Sequence, residues 1–227
     1  MKEPELKPRR KRWNSWTLTP EKVEAGLDWA YRQAIHGELP FVQSVEDYAK
    51  DYRERADSVE DAVDSLIRNQ VAKASTTGFL TGLGGLIVLP VTLPANLTTV
   101  LLIQLRMIGA IAYMCGYDPK TDQVQTALYM CLVGNAAKEV AGQVGINIGK
   151  KMAMNGVKAI PGKTLIQVNK KVCFRLFTKF GQKGPVNLGK MVPLAGGAVG
   201  ATVDGLSTYA VGKAAKRLFV GSIDRVD

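Results

Sequence analysis

From Gly78 to Gly116 the chain carries a single charged side chain, Arg106. A run of that length with one charge must be buried in a core or given to a membrane. Pro90 and Pro94 interrupt it. A proline inside a helix removes a hydrogen bond and collides with the preceding turn, so VLPVTLPAN reads as a break between two apolar helical arms. The result is a helical hairpin with Pro90 and Pro94 at its turn. The arm from Gly78 to Leu89 falls short of the roughly 20 residues that cross a bilayer, whereas Ala95 to Cys115 is long enough. Gly78, Gly82 and Gly85 have the small-residue spacing that lets another helix come close. Gly116 ends the second arm, and Asp118-Pro119 opens a turn.

The rest of the chain reads as helix. Thr19 caps a first helix with Pro20 at its first position, and Gly37 closes it. Its stripe Val23, Leu27, Ala30, Tyr31, Ala34 and Ile35 has the spacing of one packed face. Ser44-Val-Glu-Asp47 and Ser58-Val-Glu-Asp61 repeat one tetrapeptide, each a serine cap with acids against the helix dipole. The second of these helices runs on towards the hairpin. A long helix is expected from about Thr121 to Ala159, its glycines at 134, 142, 145, 149 and 156 accounted for by close packing or by a break near Gly145 to Gly149. After Pro161-Gly162, Lys163 to Phe180 presents one apolar face, with Lys170, Lys171, Arg175 and Lys179 elsewhere. Met191 to Val211 is apolar again, with small residues and one charge, Asp204. The fold class expected is all-α: a glycine-rich helical bundle with a proline-broken apolar hairpin. It is expected as one domain over 17–221, between a flexible basic tail at 1–16 and a short tail at 222–227.

Charge is uneven. The net +10 divides into +4 over residues 1–12, −7 over 13–64 and +13 over 65–227. In the N-terminal tail, Arg9, Arg10, Lys11 and Arg12 are followed by Trp13 and Trp16, a pairing of basic and interfacial aromatic residues that suits anionic lipid headgroups. Lys170, Lys171, Arg175 and Lys179 are a second candidate lipid-contact set, since a basic amphipathic helix can lie in the interface. Arg106 and Asp204, lone charges of opposite sign in the two most apolar helices, are expected to form a buried ion pair. By the positive-inside rule, the basic tail and the basic stretch after the hairpin belong on the cytoplasmic side. Trp13 to Pro20 follows the basic start where a signal peptide would have an apolar run, so no secretory signal is expected.

Two blocks give the chain a resemblance to the EcsC family of bacterial proteins: TTGFLTGLGGLIVLPVTLPANLTTVLLIQLRMIGAIAYMCGYD (Thr76 to Asp118) and KMVPLAGGAVGATVDGLSTYAVGKAAKRLF (Lys190 to Phe219). With the acidic lead-in from about Ser58, the resemblance covers most of the chain but not the basic tail. The family takes its name from a protein encoded beside an ABC transporter and is regarded as helical and often membrane-associated, so the resemblance implies those two properties. No activity or catalytic motif is established for that family, so the resemblance transfers no functional residues.

Catalytic signatures are missing from the sequence itself. It has no GxSxG, GxxxxGK[ST] or HExxH. Three spread cysteines, Cys115, Cys131 and Cys173, and one histidine, His36, do not make a zinc site and read as buried free thiols in a reducing compartment. No cofactor or metal is expected. The function expected is that of a non-enzymatic, membrane-associated helical protein at the cytoplasmic face, accessory to a transporter or envelope process. Its expected partners are anionic membrane lipid and a membrane protein complex. A soluble bundle binding lipid or another apolar ligand, or a membrane-inserting toxin or pore former, are the alternatives. Nucleic acid is disfavoured, because the lysines are interleaved with core positions and no recognition module is evident.

Overall fold

The computed structural model describes residues 18–37, 43–75, 95–145, 160–181 and 193–221. Among them are eight α-helices and no strand: α1 (Pro20–His36), α2 (Val45–Arg53), α3 (Val59–Ala74), α4 (Ala95–Met114), α5 (Asp122–Leu132), α6 (Ala137–Gln143), α7 (Gly162–Gly181) and α8 (Pro193–Phe219). The protein is all-α. The basic tail with Arg9, Arg10, Lys11, Arg12, Trp13 and Trp16 lies outside the described residues, as do the first hairpin arm and its turn prolines, Pro90 and Pro94.

The helix starts follow the capping chemistry of the sequence. Thr19 is extended and its hydroxyl accepts the Lys22 amide at 3.3 Å, with Pro20 opening α1. Ser44 accepts the Asp47 amide at 3.1 Å and donates to its carboxylate at 2.8 Å, and Ser58 does the same with Asp61 at 3.1 and 2.6 Å. Each pair satisfies an amide that the first helical turn leaves unpaired. The core stripe of α1, from Val23 to Ile35, is buried throughout.

The second arm of the expected hairpin is α4, and it runs through the middle of the bundle. It packs against α1, α2, α3, α5 and α8. Leu101, Leu105, Met107, Ile108, Ala110, Ile111 and Ala112 are all fully buried there. By length and composition α4 could cross a membrane, but most of its side chains are already covered by protein. Core packing accounts for its apolarity.

Close approach depends on glycine. A methyl group built on Gly109 of α4 would lie 2.3 Å from Ile35 Cδ1 of α1 and 3.2 Å from Val45 Cγ2 of α2. The crossing of α3 and α8 is equally tight: such a methyl would meet the Ser75 hydroxyl from Gly205 and Ile67 from Gly212, the latter at 2.9 Å. Gly212 extends the small-residue seam past Gly205, seven positions on, which places both on nearly the same face of the helix. α8 itself continues well beyond Val211, because Lys213, Lys216 and Arg217 are ordinary helix formers near a C-terminus.

The single helix expected over 121–159 is not found. It breaks after Leu132 into a short 3₁₀ turn (Gly134–Ala136) and then α6, which ends at Gln143. Gly134 and Gly145 have φ of 56° and 72°, so these glycines turn the chain and do not serve close packing. The first break precedes the expected Gly145 to Gly149 region. Residues 146–159, with Gly149 and Gly156, lie outside the described set.

Gly109→Ala is expected to lower stability by about 1–2 kcal/mol, the clash with Ile35 outweighing alanine's advantage in a helix. Ile35→Val removes the clashing carbon, so the double variant should be more stable than the two single losses add up to. Urea unfolding of the four proteins measures the coupling.

Candidate functional site

Helix α7 is the most basic described element. It carries Lys163, Lys170, Lys171, Arg175 and Lys179 and has no acidic residue. Leu165, Val168, Val172, Cys173 and Leu176 bury its inner face, where it packs on α1, α5 and α6. The amphipathic pattern of the sequence is thus a packed face with cations around it. The cations have different employments. Arg175 forms an ion pair with Glu139 of α6, and Lys171 donates to Gln143 Oε1 at 3.0 Å. Lys163, Lys170 and Lys179 are exposed. The sequence reading grouped Lys170, Lys171, Arg175 and Lys179 as one lipid-contact set, and the structure divides that set by orientation.

Two large apolar side chains of α7 also stand in solvent. Ile166 is 56% exposed and Phe174 57%. Ile166 lies on the edge of the helix with Lys163 and Lys170. A second group of apolar residues is exposed on α8, where Val203, Leu206 and Tyr209 are between 48% and 65% exposed. Lys213 and Arg217 continue along that helix as exposed residues, and the Lys213 ammonium lies 5.7 Å from the Tyr209 ring centroid. Spacing alone did not single out these α8 residues, because a uniformly apolar helix has no contrast to mark its outer side.

Arg106 and Asp204 do not form the expected ion pair. The Arg106 guanidinium lies over the Tyr48 ring of α2, 4.5 Å from its centroid, and its Nη1 is buried without a hydrogen-bond partner. Burial pulls its pKa down, as desolvation disfavours the cation. Burial also pushes the Tyr48 phenol well up, so the ring is neutral and offers its electron-rich face. Gln70 of α3 donates to the Tyr48 hydroxyl. Asp204 is half-buried on α8, and burial alone raises its pKa from 3.8. Opposite charge suggested a pair, but an aromatic face can hold a guanidinium too, and α2 supplies one.

Beside Tyr48, a cleft of about 240 Å³ opens between α2 and α3, lined by Gln43, Tyr48, Asp51, Tyr52, Arg55, Ala56, Ser65 and Asn69. Its groups are engaged with one another: Gln43 donates to Asp51 at 2.8 Å and Asn69 to the Tyr52 hydroxyl at 3.0 Å. The cleft is polar and smaller than the roughly 300 Å³ at which ligand pockets begin. It does not suit an acyl chain. Burial raises the Cys115 and Cys173 thiols to about 12 and Cys131 further, so none is a ready thiolate nucleophile. Among the described residues no three His, Cys, Asp or Glu side chains gather as metal ligands do.

The EcsC protein family model matches residues 11–220. The chain belongs to the EcsC protein family. No curated protein and no solved structure matches it. The match begins at residue 11, so Lys11, Arg12, Trp13 and Trp16 fall within the family region and only Arg9 and Arg10 of the candidate tail residues precede it. In this EcsC family member both helices with exposed apolar groups, α7 and α8, lie in the matched range.

Asp204 holds its proton more tightly in the folded chain than in the unfolded one, so its ionisation costs stability as pH rises from 3.8 through the raised value. Asp204→Asn should therefore raise Tm at neutral pH, and the gain should vanish below the ordinary carboxylate range. Because the two groups do not meet, the effects of Asp204→Asn and Arg106→Met should add. Thermal unfolding of the single and double variants over a pH series reads both outcomes.

Proposed function

We propose that this EcsC family protein is a non-enzymatic, membrane-associated helical protein of the cytoplasmic face, held at an anionic lipid surface by its outer side chains. The carrying observation is that Ile166, Phe174, Val203, Leu206 and Tyr209 remain in solvent on α7 and α8 while the core beneath them is closed. Exposed apolar groups rimmed by cations are the composition of a surface that meets a membrane or another protein. The +13 carried by residues 65–227 favours an anionic membrane, to which each nearby cation contributes about 1 kcal/mol.

Since α4 is enclosed by protein, the reading does not require that helix to insert. The three buried free thiols suit a reducing compartment, which supports the cytoplasmic side. An uncharged sequence between Ser75 and Ala95 adds an apolar segment that could strengthen attachment. A role as accessory to a transporter or other envelope complex fits a protein that is brought to the membrane and carries out no chemistry there.

Co-sedimentation of the full chain with vesicles tests the proposal. Binding to phosphatidylcholine vesicles should be weak, should rise steeply when phosphatidylglycerol is included, and should fall in high salt as the surface charge is screened. A chain that stays in the supernatant with both vesicle types would refute the proposal.

A further inference from the structure

We infer that α7 is the element that meets the lipid: it lies along the membrane surface with Ile166 and Phe174 entering the interface and Lys163 and Lys170 among anionic phosphates. The inference rests on the proposed membrane association and adds a face and an orientation to it.

A helix turns by about 100° per residue. Lys163, Lys170 and Phe174 therefore fall within an arc of roughly 40°, with Ile166 on its flank, and successive members of this stripe are one turn apart. Lys171 and Arg175 are turned away from that arc by roughly 80° and 120°. The contacts agree with this division. Arg175 is paired with Glu139, and Lys171 is bonded to Gln143, so these two cations fasten α7 to α6. Lys163 and Lys170 are exposed beside the two apolar side chains.

Charge identifies the occupant. With Lys163 and Lys170 exposed and no acid of its own, the outer side of α7 would repel a basic partner and attract an anionic one. Ile166 and Phe174 need an apolar interior within reach of that anionic layer, which a bilayer has and a nucleic acid backbone lacks. The opposite face of α7 is committed to the core by Leu165, Val168, Val172 and Leu176, so the helix cannot roll. Its outward residues are fixed before any membrane is met, and little ordering is lost on binding.

The test uses the full chain with phosphatidylcholine and phosphatidylglycerol vesicles. Phe174→Cys carries an environment-sensitive fluorophore, the natural cysteines being buried. Its emission should shift to the blue on adding mixed vesicles and be quenched by lipids labelled in the acyl chain. Ile166→Ser with Phe174→Ser should abolish most binding and leave Tm unchanged. Lys163→Gln with Lys170→Gln should weaken binding by about fivefold per lysine. Lys171→Gln with Arg175→Gln removes the same charge, yet should lower Tm and leave vesicle affinity nearly as it was. If both lysine and arginine pairs lose affinity equally, attraction is by net charge alone and the inference is overturned. A probe at 174 that stays in water while the chain sediments with vesicles also overturns it, and leaves the proposed membrane association standing. A chain that never sediments overturns both.

Discussion

The bundle depends on how closely other helices approach α4. At Gly109 the neighbouring α1 and α2 come within a distance that one added methyl group would violate. That approach lets a helix with little polar surface be covered on several sides by other helices, and dispersion contacts accumulate along its length. Apart from Arg106, whose Nη1 has no hydrogen-bond partner, some polar groups of the contact bond across it. Gln104 donates to Ser207 and Thr208 of α8 at 3.1 and 3.2 Å. Tyr31 of α1 donates at 2.8 Å to the Pro119 carbonyl in the turn after α4. These bonds set the register of α1 and α8 against α4, since each would leave a buried polar group unsatisfied if its helix slid.

Charge is used in two ways. The acidic α2 and α3 hold particular cations in place: Lys216 of α8 meets both Asp64 and Glu60, and Lys120 meets Glu46. Part of the basic excess of the C-terminal region is thereby neutralised within the molecule. On α7 the division is visible along a single helix, with Arg175 and Lys171 turned inward to α6 and Lys163 and Lys170 outward. A positive net charge says that an anionic partner is favoured. Which cations remain for that partner depends on the packing of α6 against α7. The proposed lipid contact lies on those left outside.

Arg106 shows how a buried cation can be held without a carboxylate. Bringing Asp204 to it would have required a second desolvated charge, and such a pair often gains less than its burial costs. Tyr48 is already fixed by Gln70 and offers a ring face at no further cost in charge burial. The carboxylate stays nearer to solvent, with its pKa raised by the burial that remains.

Local chemistry was legible in the amino-acid sequence: the caps at Thr19, Ser44 and Ser58, the closing glycines at 37 and 116, the core face of α1 and that of α7. Those features are decided within a turn or two of helix, by capping bonds, φ preferences and the periodicity of apolar residues. The break at Gly134 was less so, because a glycine inside a helical pattern permits either a close crossing or a left-handed turn, and its neighbours in space determine which. Likewise, an apolar helix such as α4, with Arg106 as its one charge, satisfies a bilayer and a protein core equally by its sequence, and only the tertiary structure shows the surrounding helices enclosing it. The sequence alone determined that the chain is a basic, glycine-rich helical protein whose very apolar helices include α4. Tertiary structure decided that this helix is core, that Arg106 rests on Tyr48, and that Ile166 and Phe174 face outward, because exposure and pairing depend on residues far apart in the chain.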